Sequence, residues 1–243
     1  MLLLRGRVGD DPALEMAASS ALLQRARVGE LDAALRIFRP TRMVAFGRRD
    51  ANRPGFGAAV AACRRAEYVP VVRPTGGRAV ATTTSALVID HVQRGAGDMA
   101  HRFTDFGVML AQVLADFGID ARVGEVPGEF CPGAHSVNAR GVAKLVGTAQ
   151  RVVREAWFFS SVVIIDDSAV IKPLLVEVYD ALELAFDPAS VGAVRDEAPQ
   201  VSIDVLEQAF IGAYDDRFGL TEAPVDERLR DEAARLVGDH RVG

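Results

Sequence analysis

Apolar residues recur along the chain with two different spacings, one typical of helices and one typical of strands. A spacing of three or four residues predicts helices over residues 12–27, 56–66, 99–117, 172–186, 202–218 and 224–237. Two of these helices also carry the expected end signals, because Asp11-Pro12 begins the first and Gly118 follows the third. Alternating or continuous apolar runs predict strands within residues 35–39, 43–47, 68–73, 79–92, 120–123, 136–138, 143–149 and 157–166. The chain therefore mixes helices with strands throughout its length.

The composition of the 243 residues predicts one main folded domain. With 49% hydrophobic and 25% charged residues, the chain can fill a large core. No apolar run is long enough to cross a bilayer, and the first residues lack the apolar segment and cleavage site of a signal peptide. We therefore expect a cytoplasmic protein with no membrane association.

The chain has only two cysteines, Cys63 and Cys131. Their spacing fits neither a disulfide framework nor a zinc site, so we expect two reduced thiols and no metal. Cys63 falls on the Ala- and Val-rich face of a predicted helix, which favours a buried structural thiol. Cys131 lies in Phe130-Cys-Pro-Gly133, where proline and glycine are typical of a loop at the surface of a cleft.

Charge is unevenly distributed along the chain. Residues 1–160 hold 21 basic against 15 acidic residues, whereas residues 161–243 hold 7 against 18. A field of this kind can steer an acidic partner to the N-terminal part. The arginines are scattered through apolar segments and form no basic run, which argues against a nucleic-acid partner.

Two glycines between predicted strands mark a candidate binding loop. Gly76 and Gly77 are bracketed by Arg73 and Arg78 in Arg73-Pro-Thr-Gly-Gly-Arg78. Glycine has no Cβ, so the backbone here can approach a ligand, and its N–H groups with the two guanidinium groups can hold a carbonyl or phosphate oxygen. An ordinary hairpin turn is the alternative interpretation.

The use of lysine singles out a second candidate. Among 28 basic residues only Lys144 and Lys172 are lysines, and Lys144 lies thirteen residues after Cys131. A lysine in an arginine-rich chain suggests a task for a compact ammonium group that a planar guanidinium cannot perform. His135, four residues after Cys131, is either a proton carrier or a loop histidine with no chemical role.

These motifs occur in the order found in a known superfamily. The segments Arg73-Pro-Thr-Gly-Gly-Arg-Ala-Val80 and Lys144-Leu-Val-Gly-Thr-Ala-Gln-Arg151, followed by a β-rich run ending at Asp166, resemble the lipoate/octanoate attachment superfamily, which shares its fold with biotin protein ligases. The similarity covers about residues 10–190. Glu129-Phe-Cys-Pro-Gly133 is similar to the amidotransferase branch, the octanoyl-[glycine cleavage H protein]:protein N-octanoyltransferases, in which a loop cysteine of a Cys-Pro-Gly sequence is acylated.

The resemblance implies an α+β fold in which a twisted mixed β-sheet is flanked by helices and encloses a narrow acyl tunnel. It implies a catalytic domain over residues 1–190, and we expect residues 191–243 to form a helical extension packed on it. Cys131 and Lys144 become the predicted catalytic residues. The predicted substrate-binding residues are Arg73, Gly76, Gly77, Arg78, His135, Gly147, Thr148 and Gln150.

The implied chemistry can be followed from the residues. Moving an acyl group between two lysine amides needs no ATP and no cofactor, since reactant and product bonds are alike, but it needs a nucleophile that holds the group. Nearby positive charge from Lys144 can lower the pKa of Cys131. The ammonium group and the N–H groups of Gly76 and Gly77 can then stabilise the oxyanion.

Three functions remain open at this stage. The first is a cysteine-dependent octanoyl or lipoyl transferase acting on lipoyl-carrier proteins, namely the glycine cleavage H protein and the lipoyl domains of 2-oxoacid dehydrogenases. The second is a lipoate-protein ligase that uses ATP and Mg to form lipoyl-adenylate. The third is a non-catalytic protein that binds lipoyl domains. Val72 and Ala81-Thr82 depart from the superfamily's arginine and histidine pattern, which favours transfer over ligation.

Overall fold

Eight strands form a mixed β-sheet at the centre of the computed structural model, which describes residues 1–243. A smaller sheet of three strands packs beside it. The eleven strands are β1 (Leu2–Arg5), β2 (Ala33–Phe38), β3 (Met43–Phe46), β4 (Val69–Val72), β5 (Val80–Thr82), β6 (Ala86–Arg94), β7 (Ala121–Val123), β8 (Val137–Ala139), β9 (Ala143–Val153), β10 (Ala156–Ile164) and β11 (Thr221–Ala223). The eight helices are α1 (Pro12–Val28), α2 (Arg48–Ala51), α3 (Phe56–Arg65), α4 (Met99–Ala115), α5 (Ser168–Ala181), α6 (Val194–Glu197), α7 (Ile203–Phe218) and α8 (Glu227–Leu236).

The strand order of the large sheet is β11-β1-β2-β6-β10-β9-β8-β7. Strand β1 runs parallel to both β11 and β2, and all other neighbours are antiparallel. The small sheet has the order β4-β3-β5. The α+β class and the mixed sheet flanked by helices are therefore confirmed.

The local predictions were right for most elements and wrong for several others. Helix α1 begins after the N-cap Asp11, whose carboxylate accepts the Ala13 N–H, as the sequence predicts. Helix α5 was misplaced, since it begins at Ser168 with Pro173 inside it, whereas the prediction began at residue 172. Strands β1 and β11 and the short helices α2 and α6 were not predicted.

The two faces of the large sheet pack against different partners. Side chains alternate along a strand, so successive residues of β6 point to opposite faces. Leu87 and Ile89 face a core shared with α4 and α7, which includes Leu110 and Phe210. The intervening residue, Val88, faces the side covered by α1 and the small sheet.

A register shift in the β8–β9 ladder sets the orientation of Lys144. Val137 pairs with Val146 while Asn138 pairs with Lys144, so Leu145 is an extra residue between the two pairs. A bulge of this kind redirects the side chains on one side of it. Lys144 consequently shares a face with Gly147, where a Cβ would lie 3.5 Å from the Lys144 Cε.

Residues 191–243 contribute to the same sheet and cores as the rest of the chain. Val191 forms a bridge with Lys144, and the Gly192 N–H donates to the Lys144 carbonyl at 3.2 Å. Helix α7 packs in the core of the large sheet, α8 packs on α1, and β11 extends the sheet beside β1. The functional division at residue 190 stays a prediction. None of the helices has the length and hydrophobicity needed to span a bilayer.

Candidate active site

A pocket lies between helix α1, the small sheet and the covered face of the large sheet. We call it the inner pocket, and its walls include Met16, Met43, Val88, Cys131 and Lys144. It encloses about 650 Å³ of empty space, including the part open to solvent. Most of its floor consists of apolar or small side chains from alternate positions of β6, β10 and β9. A pocket of this composition suits an apolar chain.

The Cys131 thiol lies at the mouth of the inner pocket and contacts two donors. The Arg78 backbone N–H donates to the sulfur at 3.1 Å, and the Arg73 guanidinium Nη2 lies 3.3 Å from it. Burial favours the neutral thiol, but the charges of Arg73 and Lys144 and the two hydrogen bonds outweigh it, so the pKa of Cys131 is lowered. The Cys131 thiol therefore has increased thiolate character.

Cys63 provides the contrast. It is fully buried on helix α3, and burial raises the pKa of its thiol to about 12. Both cysteines are free thiols. The prediction of a buried structural thiol at Cys63 is confirmed.

The backbone of Cys131 is fixed on both sides. Its φ of 45° lies in the left-handed region, which is uncommon for a residue with a side chain. The Tyr179 hydroxyl accepts the Cys131 N–H at 2.7 Å and lies 3.1 Å from the Ala79 carbonyl oxygen, to which it donates. The Cys131 carbonyl oxygen accepts from the Lys144 ammonium at 2.7 Å. Helix α5 and strand β9 together hold the strained residue in place.

All three N–H donors of the Lys144 ammonium have acceptors. They are Glu129 Oε1 at 2.9 Å, the Phe130 carbonyl oxygen at 3.1 Å and the Cys131 carbonyl oxygen at 2.7 Å. Lys144 and Glu129 are both buried, so the ion pair is shielded from water. In this structure, Lys144 therefore binds the cysteine loop itself.

Glu129 organises the rest of that loop. Besides Lys144, its carboxylate accepts from the Val126 N–H at 3.0 Å, the Gly133 N–H at 2.9 Å and the Ser136 hydroxyl at 2.6 Å. A buried carboxylate with four donors is well satisfied. These hydrogen bonds connect residues 126, 133 and 136 of the loop to the same carboxylate.

The backbone of the glycine loop lies close to the Cys131 thiol, as expected for a binding loop and not for an ordinary hairpin turn. Gly77 has a φ of 102°, and a Cβ there would lie 2.2 Å from Arg73 Nη2 and 2.8 Å from Cys131 Sγ. Nothing lies within 4 Å of a Cβ at Gly76. Arg73 Nη2 also donates to the Arg78 carbonyl oxygen at 2.7 Å, and Arg78 Nη1 pairs with buried Asp50 at 2.9 Å.

A second, polar depression adjoins the thiol on the outside. We call it the outer cleft, and it is lined by Arg48, Arg49, Pro74, Thr75, Gly76, Gly77, Arg78, Pro132, Gln150 and Arg151. Arg48 and Arg49 are exposed and form no ion pair within the chain. No hydrophobic residue lines it. The outer cleft therefore suits an anionic surface.

The predicted site residues divide into two groups by position. Arg73, Cys131, Lys144, Gly147 and Thr148 line the inner pocket. The Gly76, Gly77, Arg78 and Gln150 positions line the outer cleft.

Three predicted site residues, Thr148, His135 and Gln150, contact other parts of the protein. The Thr148 hydroxyl donates to the His135 carbonyl oxygen at 3.2 Å, and the His135 ring stacks on Phe103 with centroids 5.2 Å apart. The Gln150 side-chain amide bonds to Arg102 and to the Met99 carbonyl oxygen. The roles predicted for these residues stay predictions.

Sequence reasoning assigned no role to Glu129 or Tyr179. Glu129 opens the motif that contains Cys131, and a lone acid beside a lysine motif was an available signal. Tyr179 is 48 residues from Cys131 on a different element, and no local pattern points to it.

The fold and this arrangement of charged groups define a member of a known enzyme superfamily. The family model described as the lipoyl protein ligase A/B catalytic domain matches residues 11–214, and the chain belongs to that family. The superfamily suggested by the sequence motifs is confirmed.

Two curated relatives carry the same name. The chain is similar to octanoyl-[GcvH]:protein N-octanoyltransferase of Geobacillus kaustophilus, with 28% identity over 147 residues covering 59% of this chain and 52% of that protein. It is also similar to the protein of that name from Exiguobacterium sibiricum, with 29% identity over 131 residues covering 53% of this chain and 48% of that protein. The chain thus spans about half the length of the curated relatives it matches.

Solved structures share the fold over almost the whole chain. A lipoate-protein ligase A bound with ATP superposes with a TM-score of 0.77 at 19% identity, covering 98% of this chain and 93% of that chain. A lipoate protein ligase of T. acidophilum with bound lipoic acid gives a TM-score of 0.74 at 22% identity, covering 98% and 95%. At these identities the likeness establishes the fold alone.

Proposed function

We propose that the protein is an acyltransferase that moves an octanoyl or lipoyl group between lysines of lipoyl-carrier proteins through a thioester on Cys131. The observation that carries this proposal is the Cys131 sulfur, which lies at the mouth of the inner pocket in contact with Arg73 and the Arg78 N–H. The names of the two curated relatives support the same chemistry and the same donor, GcvH. Transfer of this kind requires no cofactor.

The reaction divides into two related steps. The Cys131 thiolate attacks the carbonyl carbon of the donor's lysine amide, the C–N bond breaks, and the proton lost by the thiol leaves on the donor lysine nitrogen. The amine of an acceptor lysine then attacks the thioester carbonyl carbon, the C–S bond breaks, and the proton lost by the amine returns to the Cys131 sulfur. The apolar tail of the acyl group occupies the inner pocket in both steps.

The groups that now contact the sulfur are placed to stabilise the reaction. The Arg78 N–H and the Arg73 guanidinium stabilise the thiolate, and the same donors can stabilise the oxygen that becomes negative when the carbonyl is attacked. Lys144 contributes positive charge and holds the Phe130 and Cys131 carbonyl oxygens. Its direct contact with the acyl oxygen, expected from the sequence, would require it to release one of these acceptors.

The outer cleft supports a carrier protein as partner. Its arginines surround the approach to Cys131, so a carrier with acidic residues beside its acyl-lysine is attracted to the correct side of the molecule. GcvH is the partner that the relatives' names indicate, and lipoyl domains of 2-oxoacid dehydrogenases are further acceptors of the same type. A cytoplasmic location would keep Cys131 reduced.

An ATP-dependent ligase is the second candidate, because the outer cleft can also bind phosphates. The cleft has no hydrophobic side chain that could pack on an adenine ring, however. Ligation through an adenylate would also not use the Cys131 thiol, whose pKa is lowered. ATP-pyrophosphate exchange with free lipoate would identify this activity. A non-catalytic binding protein would show neither exchange nor acylation.

Intact-mass analysis with octanoylated H protein and no ATP separates these functions. We expect wild-type protein and Cys63→Ser to gain one octanoyl group that hydroxylamine removes, and Cys131→Ser to gain none. If acyl transfer proceeds at the wild-type rate in Cys131→Ser, the thioester mechanism is wrong. A complex with no transfer of any kind would indicate the binding protein.

A further inference from the structure

The inner pocket contains one carboxyl group, and it lies away from the mouth. Asp90 on β6 lines the pocket between helix α1 and the large sheet, and it is buried. The apolar positions Val88 and Val162 lie between it and the Cys131 end of the floor. Burial raises the pKa of Asp90, and a carboxyl group is costly to bury in the wall of an apolar pocket, so its position calls for a physical reason.

The strand register locates Asp90 relative to the mouth. Asp90 pairs with Ser160, and Ser160 pairs with Ala149 on β9, whereas Gly147 beside Lys144 lies two residues along β9. Two strand spacings across and two residues along a strand place Asp90 roughly 12 Å from Gly147. A medium-length acyl chain attached at Cys131 therefore ends near this carboxyl group.

Two serines hold the Asp90 carboxyl group. The Ser160 hydroxyl donates to Oδ1 at 2.6 Å, and the Ser19 hydroxyl on α1 donates to Oδ2. Both serines also line the pocket. The three side chains thus form a polar segment of the pocket wall between the Val88–Val162 pair and Phe158.

A buried ion pair behind this wall prevents it from moving outward. Arg36 pairs with Asp90 in the β2–β6 ladder and contacts the Glu15 carboxylate, and both residues are buried. The Arg36 Nη1 also donates to the Glu15 carbonyl oxygen at 3.2 Å and lies 3.5 Å from Ser19 Oγ. Arg36 also attracts Asp90 electrostatically, so one buried guanidinium group interacts with two carboxyl groups.

An apolar chain gains free energy for each methylene that it buries against apolar walls. That gain stops where the next methylene would press against hydrogen-bonded polar groups that cannot rearrange, since it would displace partners without replacing them. We propose that Asp90, held by Ser19 and Ser160, is a specificity-determining residue that sets the maximum length of the acyl chain. This inference rests on the proposed function only for the identity of the pocket's occupant.

The test uses free saturated fatty acids of six, eight, ten and twelve carbons, with binding to the full chain measured by calorimetry. Wild-type affinity should rise to eight carbons and fall by about tenfold or more at ten and twelve. In Asp90→Ala the optimum should move to ten carbons or longer. Ser161→Ala, which removes a hydroxyl from the opposite face of β10 beside Ser160, is the matched control and should keep the eight-carbon optimum.

A second variant covers the case in which Asp90→Ala fails to fold. Asp90→Val with Ser160→Ala replaces the bonded pair by apolar groups, so neither partner is left unsatisfied. Wild-type protein that binds twelve carbons as tightly as eight, or a folded variant with an unchanged length profile, overturns the inference. Binding of free acids needs no thioester, so a failure of Cys131 acylation with the expected length profile would reject the transferase and leave this inference standing.

Discussion

Replacing Gly77 by alanine tests whether the glycine loop shapes the reactive thiol. A Cβ at this position would lie 2.2 Å from Arg73 Nη2 and 2.8 Å from Cys131 Sγ, both closer than non-bonded atoms can approach. Arg73 cannot withdraw freely, because the same nitrogen donates to the Arg78 carbonyl oxygen at 2.7 Å. The added methyl group must therefore separate Arg73 from Cys131 or displace the loop.

The size of the effect follows from two contributions. A residue with a side chain at a φ of 102° costs about 1–3 kcal/mol in strain, which should lower the free energy of unfolding by that amount. Opposite charges about 4 Å apart interact by about 1–4 kcal/mol between water and a protein surface. Losing the smaller value of about 1 kcal/mol raises the pKa of the Cys131 thiol by about 0.7 unit.

The assay is the pH dependence of Cys131 alkylation by iodoacetamide, followed by mass spectrometry in a Cys63→Ser background, with urea unfolding alongside. The alkylation profile of Gly77→Ala should lie about 0.7 pH unit or more above that of wild-type protein, so the variant reaches the wild-type rate only at higher pH. Gly76→Ala is the matched control one residue away, since its Cβ would meet nothing within 4 Å. Equal alkylation profiles for Gly77→Ala and wild-type protein would refute the reasoning.

Three further predictions concern ionisable groups that are buried in the core. Glu129→Gln leaves the Lys144 ammonium buried without its ionic partner. The free energy of unfolding, measured in urea, should therefore fall by about 3–5 kcal/mol. A loss below about 1 kcal/mol would show that the ion pair does not hold the loop. Lys144→Arg should nearly abolish thioester formation, because a planar guanidinium cannot reach the same three acceptors, and retention of most of the rate would contradict its assigned role. Burial lowers the pKa of His91 from 6.5 to about 3, so the unfolded chain binds one more proton between these values and stability falls as the pH falls, by about 1.4 kcal/mol per pH unit. His91→Phe should reduce that slope between pH 6 and pH 4 in urea titrations, and an unchanged slope would locate the acid sensitivity elsewhere.

The parts of the site that lie close together in sequence were predictable. Cys131 and Lys144 are thirteen residues apart, and the motif around them indicated that they meet. Their mode of contact was not predictable, because the ammonium binds the Cys131 carbonyl oxygen and Glu129 while Arg73 and Arg78 contact the sulfur. Those choices depend on the path of a loop that only the folded chain defines.

The elements that were missed depend on distant pairing. Strand β1 reads Leu-Leu-Leu-Arg, which has no alternation, and it is stabilised by β11 more than 200 residues further along the chain. Asp90 falls in a run that otherwise reads as a buried apolar strand, and its partners Ser19 and Ser160 come from two other elements. Local propensity contains no information about such contacts.

The bulge at Leu145 determines which face of the sheet Lys144 occupies. A substitution at Leu145 changes packing in the core but keeps the register shift between β8 and β9. If the ladder paired without the bulge and kept every residue, Lys144, three positions before Gly147, would point to the far side of the sheet, among Val137 and its apolar neighbours. Deleting Leu145 should instead leave Lys144 two positions before Gly147, on the pocket side of the sheet, and remove one side chain from the core.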